Sequence, residues 1–298
     1  MSDPETRRAE QQALWNGVAG QAWVDEQALL DRLFAPFETL LVEAARETSG
    51  GRVLDVGCGT GATTLAVARA LGSAGDCTGV DISAPMIALA RDRAAREGIA
   101  ARFVQADVEG HGFAPAGFDL VMSRFGVMFF GDPVRAFAGL RAAVRPGGGL
   151  AMLVWRGAAD NPFMTAAERA AAPLLPPQPP RDPDAPGQFA FADPDRVRRI
   201  LGAGGWSGIE IEPVDVDCAL SDAELDTYSV RLGPLARVLP TLDEAERAPI
   251  VAAVRAGFDP YRTDGQVRFT AACWMIRVRP GMPSHGSRLQ ARQAEAFG

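Results

Sequence analysis

The stretch Val53-Leu54-Asp55-Val56-Gly57-Cys58-Gly59-Thr60-Gly61 decides the fold. Three apolar residues, interrupted by one acid, run straight into a glycine turn. Behind it, Ala62 to Leu71 holds no helix breaker and reads as a helix. Strand, tight turn and helix in that order open a nucleotide-binding α/β unit. Gly57, Gly59 and Gly61 allow positive φ and let a ligand approach without meeting a Cβ. Asp81, twenty residues past Gly61, closes the apolar run Gly79-Val80-Asp81-Ile82. An acid at the tip of a second strand is placed to grip both hydroxyls of a ribose.

The glycines alone leave the ligand open. Gly57, Gly59 and Ala62 also fit the G-x-G-x-x-A dinucleotide pattern, so an NAD-dependent oxidoreductase is the competing reading. Three features weigh against it. Asp55 puts a carboxylate at the end of the first strand, where a pyrophosphate would be repelled. A third strand, Arg102 to Val108, again carries an acid near its end, Asp107. A fourth, Phe118 to Ser123, is followed by a helix and then Arg145-Pro146-Gly147-Gly148-Gly149. In order and spacing these elements, over about residues 50–157, resemble the class I S-adenosylmethionine-dependent methyltransferases.

The resemblance implies an α/β fold: a doubly wound, seven-stranded Rossmann-like methyltransferase sheet with its last strand antiparallel. It also implies roles. The loop Gly57, Gly59, Thr60, Gly61 would cradle the methionine end of S-adenosyl-L-methionine. Asp55 would hold that loop and meet the amino group. Asp81 would take the ribose hydroxyls and Ile82 would pack on the adenine. Asp107 would accept from the adenine amino group, Val108 would offer its N–H, and Ser123 would lie beside the methyl sulfonium. For each Asp the alternative is a helix cap or turn residue.

Composition narrows the partners. Lysine is absent, so all 30 basic residues are Arg, and the net charge is −7 with no basic block. Nucleic-acid binding needs a concentrated basic face, and none is visible. No apolar run approaches the ~20 residues of a membrane span, and the first thirteen residues show no apolar leader. Cys58, Cys77, Cys218 and Cys273 are widely spaced, which argues against disulfides and a zinc site. The expected setting is cytoplasmic, with no metal.

Along the chain, residues 1–48 read as an N-terminal helical cap, with Pro36 expected to kink or split it. Trp15 and Trp23, joined by a glycine hinge at Gly17 and Gly20, could fold over a flat ligand or pack the cap onto the core. Residues 49–157 form the cofactor-binding core. Residues 158–192 read as a proline-rich lid loop, since seven of the seventeen residues from Pro173 to Phe189 are proline. Residues 193–218 supply a core helix and the sixth strand, expected near 208–217. Residues 219–266 read as a helical lid insertion, 267–279 as the seventh strand and 280–298 as a loose tail. The alternative use of the insertions is a homodimer interface.

Methyl transfer is an in-line displacement, so orientation can supply roughly 7–11 kcal/mol and a base is needed only where the nucleophile must lose a proton. Candidates for work on the acceptor are Arg124, Tyr228 and His111. Arg124 leaves the fourth strand in the run Ser123-Arg124-Phe125-Gly126-Val127-Met128-Phe129-Phe130, whose aromatic and Met side chains could line an apolar pocket. Trp155, ending the fifth strand, is a second wall candidate. The expected acceptor is a small, apolar or aromatic molecule. A cofactor-binding partner protein without catalysis is the reading from another class.

Overall fold

The computed structural model describes residues 3–48, 51–177, 182 and 185–278. The tail, with His285, and part of the proline-rich stretch lie outside the described residues. Five parallel strands, β1 (Arg52–Val56), β2 (Asp76–Asp81), β3 (Ala101–Gln105), β4 (Phe118–Arg124) and β5 (Val144–Trp155), build most of the sheet. Then come β6 (Ile209–Ser221), β7 (Arg262–Thr263) and β8 (Gln266–Val278). The order is β3-β2-β1-β4-β5-β8-β6, and β8 runs antiparallel to both neighbours. Beyond the seven expected strands there is an eighth, because β7 folds back on β8 through Asp264-Gly265. Both turn residues have positive φ, the conformation that an Asp-Gly pair favours in a two-residue hairpin.

Ten α-helices are described: α1 (Pro4–Asn16), α2 (Val18–Asp25), α3 (Gln27–Arg46), α4 (Ala62–Leu71), α5 (Ala84–Glu97), α6 (Pro133–Ala143), α7 (Ala166–Ala171), α8 (Pro194–Ala203), α9 (Asp222–Thr227) and α10 (Glu244–Gly257). Local chemistry sets their ends. Asp3, Ser83, Asp132 and Asp193 cap α1, α5, α6 and α8, each with proline in the first turn. Gly98, in the left-handed region, stops α5. The chain winds β1–β2–β3 one way and β4–β5 the other. Right-handed crossovers therefore place α4 and α5 opposite α6. The order reverses between β1 and β4, the crevice where open α/β sheets take ligands.

Four expectations need correction. Pro36 does not split α3. The hydrogen bond it forfeits would have gone to the Arg32 carbonyl on the exposed face, while Leu33, Phe34, Phe37 and Leu41 hold the other face in the core. Gly20 is no hinge: it lies inside α2, and a Cβ there would sit 1.9 Å from the Trp15 carbonyl oxygen. The sixth strand runs on to Ser221, because β8 pairs with it down to Gln266, so residues 219–221 belong to the sheet. The stretch 158–192 is not simply a loop, since it contains α7, against which α10 packs at Gly257 and Ala170.

Candidate functional site

A large cavity opens at the carboxyl ends of β1, β2 and β4. Val56, Gly57 and Gly59 form its floor with Val80, Asp81 and Ile82 from the tip of β2. One wall carries Met86, Ala106, Asp107 and Val108. The opposite wall is aromatic, with Trp23, Phe34, Phe125 and Trp155, and Met164, Gln188, Tyr228 and Leu232 close it from above. A smaller cavity lies across the glycine loop, lined by Asp31, Asp55, Thr60, Thr63 and Arg124 among others.

Asp81 is 7% exposed and well anchored. Its two oxygens accept from the backbone N–H of Gly59 (2.8 Å) and of Ser83 (2.9 Å). A carboxylate has about four acceptor positions, so two remain for a diol. Burial raises the Asp81 pKa, and the backbone N–H donors oppose that shift. Ile82 and Val108 line the same cavity as apolar groups.

Asp55 is almost wholly buried and accepts from the Thr64 hydroxyl at 2.7 Å. Burial pushes its pKa up to about 6, with Asp81 and Glu38 adding repulsion and the Thr64 hydrogen bond opposing the rise. The folded chain therefore binds this proton more tightly than the unfolded chain does. The stabilisation is present near pH 4 and is lost as pH rises through about 6. Asp55→Asn keeps the shape and an acceptor for Thr64 while removing the buried charge. We expect it to melt higher than the wild type at pH 8, by the equivalent of about 2–3 kcal/mol, with the gap closing toward pH 4. Its affinity for S-adenosylhomocysteine should fall. Melting curves and calorimetry at the two pH values check both halves.

The N-terminal cap supplies residues that no short-range pattern announces. Arg8 of α1 pairs with Asp107, and the other Asp107 oxygen accepts from Glu109 N–H. Asp107 lies in the turn after β3, two residues past its end, and shares its carboxylate with Arg8. Asn16 donates to the Ile82 carbonyl and accepts from Ala84 N–H, while Ser83 donates to the Trp15 carbonyl at 2.6 Å. These bonds pin α1 to the tip of β2, although α1 has no buried residue of its own. Trp15 and Trp23 meet edge to face at 5.9 Å and both line the cavity.

Two candidates lie elsewhere. Ser123 is fully buried and donates to the Val56 carbonyl, fastening β4 to β1 rather than facing the cavity. Side chains alternate along a strand, so its neighbour Arg124 is the one that emerges. His111 is exposed, packs edge to face on Phe113, and lines neither cavity.

Arg124 and Tyr228 do reach the cavity. Arg124 lies over the Phe34 ring at 5.5 Å and bounds both cavities. Its neighbour Phe125 has φ +66°, which costs a bulky residue about 1–2 kcal/mol. Stacking on Trp155, at 4.4 Å and 8° between planes, offsets part of that. Strain of this kind gathers at ligand sites, and here it turns an aromatic face to the cavity. Tyr228 begins a single π-helical turn, Tyr228–Leu232, and burial pushes its pKa up to about 12.

Sequence reasoning passed over Arg8, Asn16, Asp31, Phe34 and Gln188, whose contacts depend on the assembled fold. Arg93 was missed too: it bridges Asp31 and the Thr60 carbonyl and so braces the glycine loop.

These features fit S-adenosylmethionine: an acid with free acceptor positions for a diol, a glycine cradle, an apolar wall beside them, and a small polar cavity whose acids, Asp31 and Asp55, suit the amino group of an amino-acid end. Residues 53–148 match the family described as Methyltransferase domain. Aklanonic acid methyltransferase DauC of a Streptomyces species is 37% identical over 136 residues, 44% of this chain and 62% of that protein. The ubiquinone/menaquinone biosynthesis C-methyltransferase UbiE of Stutzerimonas stutzeri is 29% identical over 176 residues, 58% of this chain and 69% of its own. The match thus spans less than two thirds of DauC. The fold is also that of the YcgJ protein of Bacillus subtilis, with a TM-score of 0.54 at 18% identity over 82% of this chain and 98% of that one. Together with the strand order, these likenesses set the oxidoreductase alternative aside, and residues 53–148 form a methyltransferase domain of the class I S-adenosylmethionine-dependent type.

Proposed function

We propose that the chain transfers a methyl group from S-adenosylmethionine to a small, largely apolar aromatic molecule. The observation that carries this reading is the aromatic cavity continuous with the cofactor cradle. Trp23, Phe34, Phe125 and Trp155 present ring faces and edges beside Gly57 and Asp81. The relatives fit it in kind: DauC is named for aklanonic acid and UbiE for quinone biosynthesis. Among the described residues no helix is long and apolar enough to cross a membrane. Four buried, unpaired cysteines suit a reducing compartment, so we place the reaction in the cytoplasm.

The cofactor supplies an electrophilic methyl group on a sulfonium. The chain's own residues bind, orient and exclude water. Asp81 takes the ribose hydroxyls, with Ile82, Met86 and Val108 against the adenine. Arg8 keeps Asp107 fixed at the adenine edge. Asp55 and Asp31 face the amino end across Gly57 and Gly59. Trp15 and Trp23 cover the cavity mouth, and Tyr228 and Leu232 roof its acceptor end.

The test is release of S-adenosylhomocysteine when protein and S-adenosylmethionine are incubated with a pool of aromatic metabolites. Leu232→Asn, with folding checked by circular dichroism, should lower turnover at least tenfold. Cofactor affinity should stay within threefold, about 0.7 kcal/mol. Tight cofactor binding with no turnover on any acceptor would make the chain a binding partner instead of an enzyme.

A further inference from the structure

Resting on that reading, we infer that the acceptor binds as an anion, a planar aromatic or enolic acid whose charge is held by Arg124, and that no protein base takes part. Two independent observations carry this: what the cavity lacks and what it offers.

Among the described residues that line it, no carboxylate is left without a hydrogen-bond donor. Its acids are Asp81, Asp107 and Glu109. Asp81 is held by the N–H groups of Gly59 and Ser83, and Asp107 by Arg8 and Glu109 N–H. Glu109 accepts from Gly131 N–H and Asp132 N–H, at 2.6 and 2.9 Å. Among the described residues no histidine or cysteine lines the main cavity. Tyr228 stays protonated at neutral pH, because burial raises its pKa.

It offers donors. Arg124 has no ion-pair partner among the described residues, and its one hydrogen bond is a long one, 3.5 Å, to the Phe34 carbonyl. The charges nearest it act through space: Glu38 and Asp31 from α3, Asp55 from β1 and Arg93 from α5. Asp31 is engaged by Arg93, and Asp55 by Thr64. The Tyr228 hydroxyl and the Gln188 amide, also in the wall, have no hydrogen-bond partner among the described residues. A cation and two further donors beside stacked Phe125 and Trp155 complement a flat molecule rich in oxygen. An ionised acceptor gives its electron pair to the methyl carbon, and the carbon–sulfur bond breaks toward sulfur. No proton has to leave, which suits a cavity without a base.

The experiment is calorimetric titration of the protein loaded with S-adenosylhomocysteine, using 2-naphthoate and its neutral match 2-naphthamide at pH 7.5. The wild type should bind naphthoate at least tenfold more tightly. Arg124→Met, which removes the guanidinium over Phe34 but keeps an apolar side chain of similar reach, should bring the ratio within twofold and leave naphthamide affinity within threefold. Arg124→Lys should retain a preference of threefold or more. Equal binding of the two probes by the wild type would overturn the inference, as would an undiminished preference in a folded Arg124→Met protein. A tenfold loss of S-adenosylhomocysteine affinity in Arg124→Met with the probe ratio unchanged would assign Arg124 to the cofactor carboxylate and overturn it too. In all three cases the methyltransferase reading stands. Failure of the wild type to bind S-adenosylhomocysteine at all would remove that reading and this one with it.

Discussion

Asp81→Ala should weaken S-adenosylhomocysteine binding by about tenfold to hundredfold, the worth of losing charge-assisted hydrogen bonds of about 1.5–3 kcal/mol. Part of the loss is direct, since two acceptor positions for the ribose disappear. Part is indirect, because the same carboxylate accepts from Gly59 and Ser83 and so ties the glycine loop to the tip of β2. Asp81→Asn separates the two. An amide keeps one acceptor and the side chain's shape but loses the charge, so its deficit should fall between wild type and Asp81→Ala. Calorimetry on folded protein decides. Wild-type affinity in Asp81→Ala would remove the residue from the cofactor site, and tighter binding of NADH than of S-adenosylmethionine would remove the family assignment.

The legible part of this molecule is its local part. The glycine loop, the capped helices α5, α6 and α8 and the acid at the tip of β2 are each written in fewer than about thirty consecutive residues. Turn and cap chemistry operates over that range. What sequence could not supply is pairing across the chain. Arg8 finds Asp107 at a separation of 99 residues, Ser83 finds the Trp15 carbonyl at 68 and Asn16 finds the Ile82 carbonyl at 66. Nothing in the polar run of α1 marks Arg8 over Arg7 for this contact. Ser123, whose hydroxyl donates to the Val56 carbonyl, shows a different limit. A strand shows alternate residues to opposite faces, so a slip of one position exchanges a buried strap for a cavity residue. The short hairpin at Asp264-Gly265 was readable from its turn residues, but two residues of strand are too few to carry an alternating pattern.

The three glycines of the loop look equivalent in sequence, yet the structure ranks them, and Gly57→Ala should show it. Gly57 has φ +67°, and a Cβ there would lie 2.6 Å from the Cα of Gly126. The contact is reciprocal: a Cβ on Gly126 would lie 2.7 Å from the Gly57 Cα and 2.7 Å from the Val56 carbonyl oxygen. Two backbones touch here, so no flexible side chain can give way, and the loops after β1 and β4 must part. Both loops line the main cavity, through Gly57 and Gly59 on one side and Phe125 and Gly126 on the other, so on the proposed function parting them misaligns donor and acceptor. A misplacement of about 1 Å in a displacement reaction can cost about a hundredfold in rate. At Gly59 the nearest atom to an added Cβ is the Met86 sulfur at 3.7 Å, an ordinary contact, leaving only the left-handed backbone cost of about 1–2 kcal/mol. Gly57→Ala should therefore melt well below Gly59→Ala and lose turnover at least a hundredfold. Gly126→Ala, which has no positive φ to strain, should reproduce the turnover loss. The double variant should be far less than additive, because both substitutions open one contact. Thermal melts with single-turnover rates distinguish the cases. Gly126→Ala at wild-type rate would show that backbone strain at Gly57, and not the approach of the two loops, governs the alignment.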